Sequence, residues 1–136
     1  MTLRRISLGD ELPSWELPIT PTFVVSSAIS TRDFQDVHHD RDRAQAAGSK
    51  DIFVNILTST ALVERYVTEW AGNDVQIKGV AVRLGAAAYP YDTLTFSGRV
   101  ADVADGVATI EVIAAVEAGN HIIGTVSVVA PKDPAQ

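Results

Sequence analysis

The feature that most constrains the fold is a long apolar segment, IFVNILTSTALVERYVTEW, at residues 52–70. Its apolar residues recur at the three- and four-residue spacing of an α-helix and cover most of its circumference. Asp51 is a candidate N-cap, and Gly72 is a candidate C-terminal stop. A helix with so little polar surface is expected to be largely buried, so the rest of the chain must enclose it. The residues at this spacing are Phe53, Ile56, Leu57, Thr60, Val63, Val67 and Trp70.

The segments after this helix predict a β-sheet, because they are rich in Val, Ile, Thr and Phe. The dipeptides Asp105-Gly106 and Gly119-Asn120 are hairpin signals, which favour antiparallel pairing. Long strands that must bury one helix indicate a sheet curved around it, which is the hot-dog arrangement of the α+β class. We predict a single domain over residues 1–136. The predicted strands cover residues 75–88, 91–104, 107–118 and 121–130.

The part of the chain before the helix is less regular. Residues 1–22 contain three prolines and predict an extended, irregular lead-in, while TFVVSSAIS at residues 22–30 predicts a short strand. Asp40 can cap a short helix that Gly48 would end. The polar residues 131–136 predict a frayed tail.

Composition excludes several classes of function. The net charge is −6 and the pI is about 4.9, which argues against nucleic acid or an anionic membrane as the main partner. The chain has no cysteine, so disulfides, thiolate nucleophiles and Cys-based metal sites are absent. No apolar stretch reaches the roughly 20 residues of a membrane span, and no signal peptide is evident. We expect a cytoplasmic protein.

The densest polar stretch is RDFQDVHHD, residues 32–40. In a turn that leads into a helix, Asp33 and His38 can point to one side, and a carboxylate beside an imidazole can hold and deprotonate a water. The spacing alone fits a solvated loop with helix caps as well. His39 is expected to face away, while Asp36 and Asp40 are typical turn and cap residues. His121 lies in a predicted hairpin far from this stretch, so no metal site is predicted.

Residues 27–57, SAISTRDFQDVHHDRDRAQAAGSKDIFVNIL, resemble the hydratase motif of the MaoC-like family of hot-dog proteins. That motif reads Ser-x-Asp-x-Asn-Pro-hydrophobic-His-x-Asp, followed by Ala, Gly and an apolar helix. Asp33 matches its Asp and His38 its His, while Asp40, Ala44 and Gly48 also match. The resemblance extends through VRLGAAAYPYDTLTFSGRV and covers most of the chain. It implies that Asp33 and His38 are catalytic.

Two positions depart from the family motif. Gln35-Asp36 stands where the family has Asn-Pro, and Val54-Asn55 stands where it usually has His-Gly. The backbone N–H of that glycine forms the oxyanion hole in the family. The resemblance therefore implies that the Asn55 N–H supplies it here, at a helix N-terminus that also favours negative charge.

Within the family, GSKDIFVNIL and YDTLTFSG resemble the catalytic subunits that hydrate steroid side-chain enoyl-CoA in cholesterol catabolism. The resemblance implies a hydro-lyase that adds water to a trans-2-enoyl-CoA, with coenzyme A as part of the substrate and no other cofactor. It also implies a second MaoC-like hot-dog subunit as partner, although a homodimer remains open. Alternatives are a 3-hydroxyacyl-ACP dehydratase subunit of fatty-acid synthesis, a non-catalytic MaoC-like subunit and a hot-dog thioesterase.

Basic residues that could bind the phosphates of coenzyme A are few in this acidic chain. Each of them is more often a solvated surface charge than a ligand. The candidates for substrate binding are Arg32, Lys50, Lys78 and Arg83.

Overall fold

The computed structural model describes residues 5–129, so the predicted tail at residues 131–136 lies outside the described residues. Five strands form one antiparallel sheet in the order β1-β3-β4-β5-β2. The helices are α1 (Pro21–Ser30), α2 (Arg41–Ala46) and α3 (Ile56–Ala71), with a 3₁₀ turn at Asp36–His38. The strands are β1 (Glu11–Pro18), β2 (Gln76–Leu84), β3 (Thr93–Ala104), β4 (Val107–Val116) and β5 (Gly119–Val129).

The sheet curves around α3. Helix α3 contacts both β1 and β2, although these strands lie at opposite edges of the sheet with three strands between them. A flat sheet would hold such edges roughly 19 Å apart, at about 4.8 Å per strand, so the sheet must wrap the helix. The inner face is apolar and alternates with the outer face along each strand. The predicted hot-dog arrangement, one long helix enclosed by an antiparallel sheet, is confirmed.

Two predictions for the chain before α2 are wrong. Residues 11–18 of the predicted irregular lead-in form β1, which pairs with β3. Its prolines are tolerated because β1 is an edge strand with a register shift between Leu12 and Trp15, where Pro13 lies. Residues 22–30, predicted as a strand, belong to α1 instead.

Helix α1 forms because its start signal outweighs the β-branched residues. The Thr20 side chain accepts a hydrogen bond from the Phe23 N–H at 3.0 Å, and Pro21 occupies the first turn. Val24 and Ala28, four residues apart, are both buried, as one face of a helix requires. The helical spacing of these buried positions was the signal that the strand interpretation overlooked.

Helix α3 begins later than predicted. Its N-cap is Asn55 rather than Asp51, and Gly72 ends it at a φ of 96° as expected. Ile56 and Leu57, predicted to be buried, are 51% and 52% exposed in the first turn. The Asp105-Gly106 turn is confirmed by positive φ at both residues, whereas the second hairpin turns at residues 117 and 118, two positions earlier than predicted.

Candidate active site

Asp33 is directed into a cavity by the end of α1. The Arg32 N–H donates to the Ile29 carbonyl at 3.0 Å, and the Asp33 N–H donates to the Ala28 carbonyl at 2.9 Å. This pair of bonds is the Schellman helix end, in which the residue after the cap is left-handed. Arg32 occupies that position at a φ of 57°, which costs a non-glycine residue roughly 1 kcal/mol. The turn reverses the chain and places the Asp33 carboxylate beside α3.

His38 faces Asp33 across this cavity. Its Nδ1 lies 2.8 Å from the Phe53 carbonyl, and because a carbonyl only accepts, Nδ1 carries the proton in the neutral ring. Its Nε2 then faces Asp33 Oδ2 at 3.3 Å. The Nε2 lone pair and the carboxylate oxygens are both hydrogen-bond acceptors, so a donor such as water can bind beside them. Such a pair is chemically able to hold a water molecule and accept its proton.

The Asn55 side chain connects the start of α3 to Asp33. Its Oδ1 accepts from the Thr58 N–H at 3.2 Å, which caps the helix. Its Nδ2 donates to Thr31 Oγ1 at 2.8 Å and to Asp33 Oδ2 at 3.2 Å, and the residue is only 1% exposed. The sequence analysis considered only the backbone of Asn55. The preference of Asn for N-cap positions was the signal that could have identified this side chain.

The backbone N–H of Asn55 is unpaired in the described part of the chain. Within residues 5–129 it has no hydrogen-bond acceptor, whereas the preceding Val54 N–H donates to the Ala88 carbonyl at 3.0 Å. Asn55 lines the same cavity as Asp33 and His38. An unpaired N–H at a helix N-terminus is the group that stabilises a developing oxyanion.

The cavity has a volume of about 290 Å³. Part of its lining comes from the end of β2, the segment after it and β5, as Leu84, Gly85, Ala87 and His121. His121 was predicted to lie far from the polar loop, but it lines the same cavity. It does so because β5 begins beside the end of β2. The lining residues are Asp33, Gln35, His38, Phe53, Val54, Asn55, Ile56, Leu84, Gly85, Ala87 and His121.

The four basic candidates for substrate binding are dispersed. Lys50 Nζ lies 5.7 Å above the Tyr89 ring, which contacts the cavity residue Phe53 edge-on. Arg32 precedes Asp33 in the left-handed turn and is exposed. Lys78 is exposed on β2, and Arg83 lines a groove on the outer face of the sheet, away from the cavity. Lys50 is thus linked to the cavity through Tyr89 and Phe53, and the binding role of all four stays a prediction.

The other polar residues of the loop have surface roles. His39 Nε2 lies 3.8 Å from Asp36 Oδ1, and both side chains are exposed. Asp40 Oδ1 caps α2 by accepting from the Arg43 N–H at 3.1 Å, as predicted. Among residues 5–129, no group of three His, Asp or Glu side chains could hold a metal ion. No helix in that range is long and apolar enough to cross a membrane.

Fold and cavity together define a hot-dog protein with an Asp–His pair at the start of its central helix. The chain belongs to the MaoC like domain family, whose model matches residues 8–121. It is 57% identical over 119 residues to the 3-oxo-4,17-pregnadiene-20-carboxyl-CoA hydratase beta subunit of Mycobacterium tuberculosis, covering 88% of this chain and 92% of that subunit.

Solved structures agree with this family membership. A chain of the ChsH1-ChsH2 complex from Mycobacterium tuberculosis superposes with a TM-score of 0.90 at 54% identity, covering 92% of this chain and 98% of that chain. The (R)-hydratase from A. caviae involved in PHA biosynthesis superposes with a TM-score of 0.84 at 16% identity, covering 93% and 98%. The second likeness supports the fold alone.

Proposed function

We propose that this chain is the catalytic subunit of an enoyl-CoA hydratase that acts on a steroid side-chain thioester. The observation that carries the proposal is the meeting of Asp33, His38 and the unpaired Asn55 N–H in one cavity. The strong similarity to a subunit named as a steroid carboxyl-CoA hydratase supports the choice of substrate class.

The reaction adds water across the Cα=Cβ bond of a trans-2-enoyl-CoA. The pair formed by Asp33 and His38 holds one water and takes its proton, while the water oxygen bonds to Cβ. The π electrons move toward the thioester oxygen and give an enolate. The proton taken from water then reaches Cα, which yields the 3-hydroxyacyl-CoA and returns the pair to its starting state. The Asp33 carboxylate lies 3.3 Å from His38 Nε2, so both side chains can contact the same water.

The Asn55 N–H stabilises the enolate oxygen. The positive end of α3 and the buried surroundings strengthen this donor, since charge interactions are larger where water is excluded. Removal of one such donor commonly lowers the rate by roughly 10²–10³-fold. Coenzyme A enters as part of the substrate, and the proposed step uses no metal or redox cofactor.

A second subunit completes the site. The cavity of about 290 Å³ lies at the lower end of the roughly 300–1,000 Å³ of ordinary ligand pockets, and a polycyclic acyl group needs more room. The lining residues Ile56 and Leu84 are exposed, and β2, which carries Leu84, is an edge strand. A MaoC-like partner that covers this edge would bury the apolar groups and extend the cavity. The heteromeric complex named for the similar structure supports this arrangement.

We also propose that Lys50 contacts the phosphates of coenzyme A. Its Nζ lies over the Tyr89 ring, which contacts the cavity residue Phe53, so the ammonium group lies near that side of the cavity. Replacing it with Met should raise KM and leave kcat near the wild-type value.

The direct test is to purify the chain alone and with a MaoC-like partner, determine the mass in solution, and assay both. We expect hydration of a steroid enoyl-CoA by the heteromer, with a kcat/KM well above that for a crotonyl thioester. Faster turnover of crotonyl-CoA would contradict the steroid assignment, and preference for a carrier-protein thioester would indicate the dehydratase of fatty-acid synthesis. A fully active monomer would contradict the shared site, and an active homodimer would contradict the heteromer.

A further inference from the structure

His121 occupies a β-bulge that turns its side chain into the cavity wall. Ala115 pairs with Asn120, and Ala114 pairs with Ile122, so His121 is an extra residue in β5. Bulges redirect side chains and are common beside active sites. The residue is only 2% exposed, and the proposed chemistry does not use it.

The imidazole of His121 makes two hydrogen bonds that fix its tautomer. Nδ1 lies 2.7 Å from the Ala86 carbonyl and must donate, so Nε2 accepts from the Ser59 hydroxyl at 2.8 Å. Burial lowers the pKa of His121 below its usual value of 6.5, and this outweighs the opposing effects of the Ala86 bond and the Asp92 charge. The neutral ring thus joins α3 to segment 85–88. We call Ser59, His121 and the Ala86 carbonyl the histidine link.

The histidine link has the order of a nucleophile, a base and an orienting acceptor, but its location excludes that chemistry. Ser59 is 0% exposed and does not line the cavity. A nucleophile must reach the reacting carbon, and no acyl group can approach a hydroxyl buried within α3. Both ring nitrogens of His121 are already bonded, so the link is structural rather than catalytic.

Segment 85–88 connects the histidine link to the oxyanion donor. The Gly85 and Ala86 N–H groups donate to the carbonyls of His121 and Asn120, each at 2.9 Å. A Cβ at Gly85 would overlap the Asn120 carbonyl oxygen, so only glycine permits this approach. At the other end of the segment, the Ala88 carbonyl accepts a hydrogen bond from the Val54 N–H at 3.0 Å.

We propose that His121 is a positioning residue, which fixes segment 85–88 through Ala86 and thereby the peptide that precedes the Asn55 N–H. This inference rests on the proposed hydratase function, because it assigns the histidine link to the placement of the enolate donor. Mispositioning such a donor lowers the rate of the chemical step more than it weakens substrate binding.

The experiment compares His121→Leu, His121→Gln and Ser59→Ala in the complex with the partner subunit. We expect His121→Leu to lower kcat by roughly 10- to 100-fold while KM changes less than about threefold. His121→Gln should recover part of the loss, because an amide can both donate and accept. Ser59→Ala, which removes one bond, should lower kcat by roughly three- to tenfold.

Amide hydrogen exchange gives a readout that does not depend on activity. In each folded variant the Val54 N–H should exchange faster, because its acceptor Ala88 is less firmly held, whereas the core of β4 should be unchanged. If His121→Leu does not fold, Ser59→Ala and His121→Gln decide the matter. Wild-type kcat and unchanged Val54 exchange in the folded variants would overturn the inference. An inactive wild-type complex with faster exchange in the variants would instead contradict the hydratase proposal.

Discussion

The two buried histidines of this protein line one cavity and are held by the same kind of hydrogen bond. Each donates from Nδ1 to a backbone carbonyl, His38 to Phe53 at 2.8 Å and His121 to Ala86 at 2.7 Å. They differ in what Nε2 meets. His38 faces the Asp33 carboxylate at 3.3 Å beside open space, whereas His121 faces the Ser59 hydroxyl inside the core.

This difference teaches that the partner of the second nitrogen decides what a buried histidine can do. Against a carboxylate and a cavity, the lone pair of Nε2 can take a proton from water. Against a buried hydroxyl, the same lone pair accepts a hydrogen bond that links two parts of the fold. Four experiments can break or sharpen this contrast, and we describe them from the largest expected effect to the smallest.

The largest effect is expected at the Asp33 side of the cavity. Asp33→Asn and His38→Ala should each lower the hydration rate by roughly 10²–10⁴-fold, because each removes half of the pair that takes the proton. Steady-state rates in the partner complex measure this, with thermal unfolding to verify that the variants fold. Near-normal turnover in either variant would remove that residue from the mechanism.

A smaller loss of kcat is expected when only the hydrogen bond from Asn55 to Asp33 is removed. Asn55→Asp keeps an N-cap oxygen for Thr58 but replaces the amide donor with a carboxylate near Asp33. A hydrogen bond to a charged group contributes about 1.5–3 kcal/mol, which corresponds to roughly a 10- to 100-fold loss in kcat. Asn55→Ser, which also keeps a cap, is the matched control for helix stability. Equal kcat in Asn55→Asp and wild type would contradict the role of the amide.

Besides its effect on kcat, His121 should be detected through the pH dependence of protein stability. Because burial lowers the pKa of His121, the unfolded chain binds more protons than the folded one just below pH 6.5. The stabilisation is complete above that pH and is lost as the pH falls through the lowered pKa. The free energy of unfolding, measured with urea between about pH 5 and pH 8, should therefore fall less steeply with decreasing pH in His121→Gln than in wild type. Parallel curves would indicate that His121 titrates normally in the fold.

The smallest effect is expected at the third histidine. His39 is exposed and lies 3.8 Å from the exposed Asp36, so His39→Ala should change the hydration rate by no more than about twofold. The same assay that tests His38→Ala measures it. A loss as large as that of His38→Ala would mean that the wrong histidine has been assigned to the chemistry.

The sequence allowed the enclosing architecture to be predicted because its signals are strong and local. A long helix that is apolar over most of its circumference has few ways to be buried, and Asp105-Gly106 can form a tight hairpin turn. The prediction of α1 failed because Val24 and Val25 favour strands in isolation, while the cap at Thr20 and the buried face decide for helix in the fold.

The candidate site was only partly accessible from the sequence. Asp33 and His38 lie five residues apart and fit a known motif, so their meeting could be predicted. The bond from Asn55 to Asp33 spans 22 residues, and the bond from Ser59 to His121 spans 62. Such distant contacts depend on how α1 ends and where β5 bulges, which no local pattern in a single sequence indicates.

The Schellman end of α1 has a consequence for how such a chain can change during evolution. Each residue added within Pro21–Ser30 would rotate everything after it by about 100° around the helix axis, and Asp33 would turn away from His38. A residue added at the Asp105-Gly106 hairpin would lengthen a distant loop and leave the pair intact. In α1, insertions and deletions should therefore be tolerated less well than substitutions.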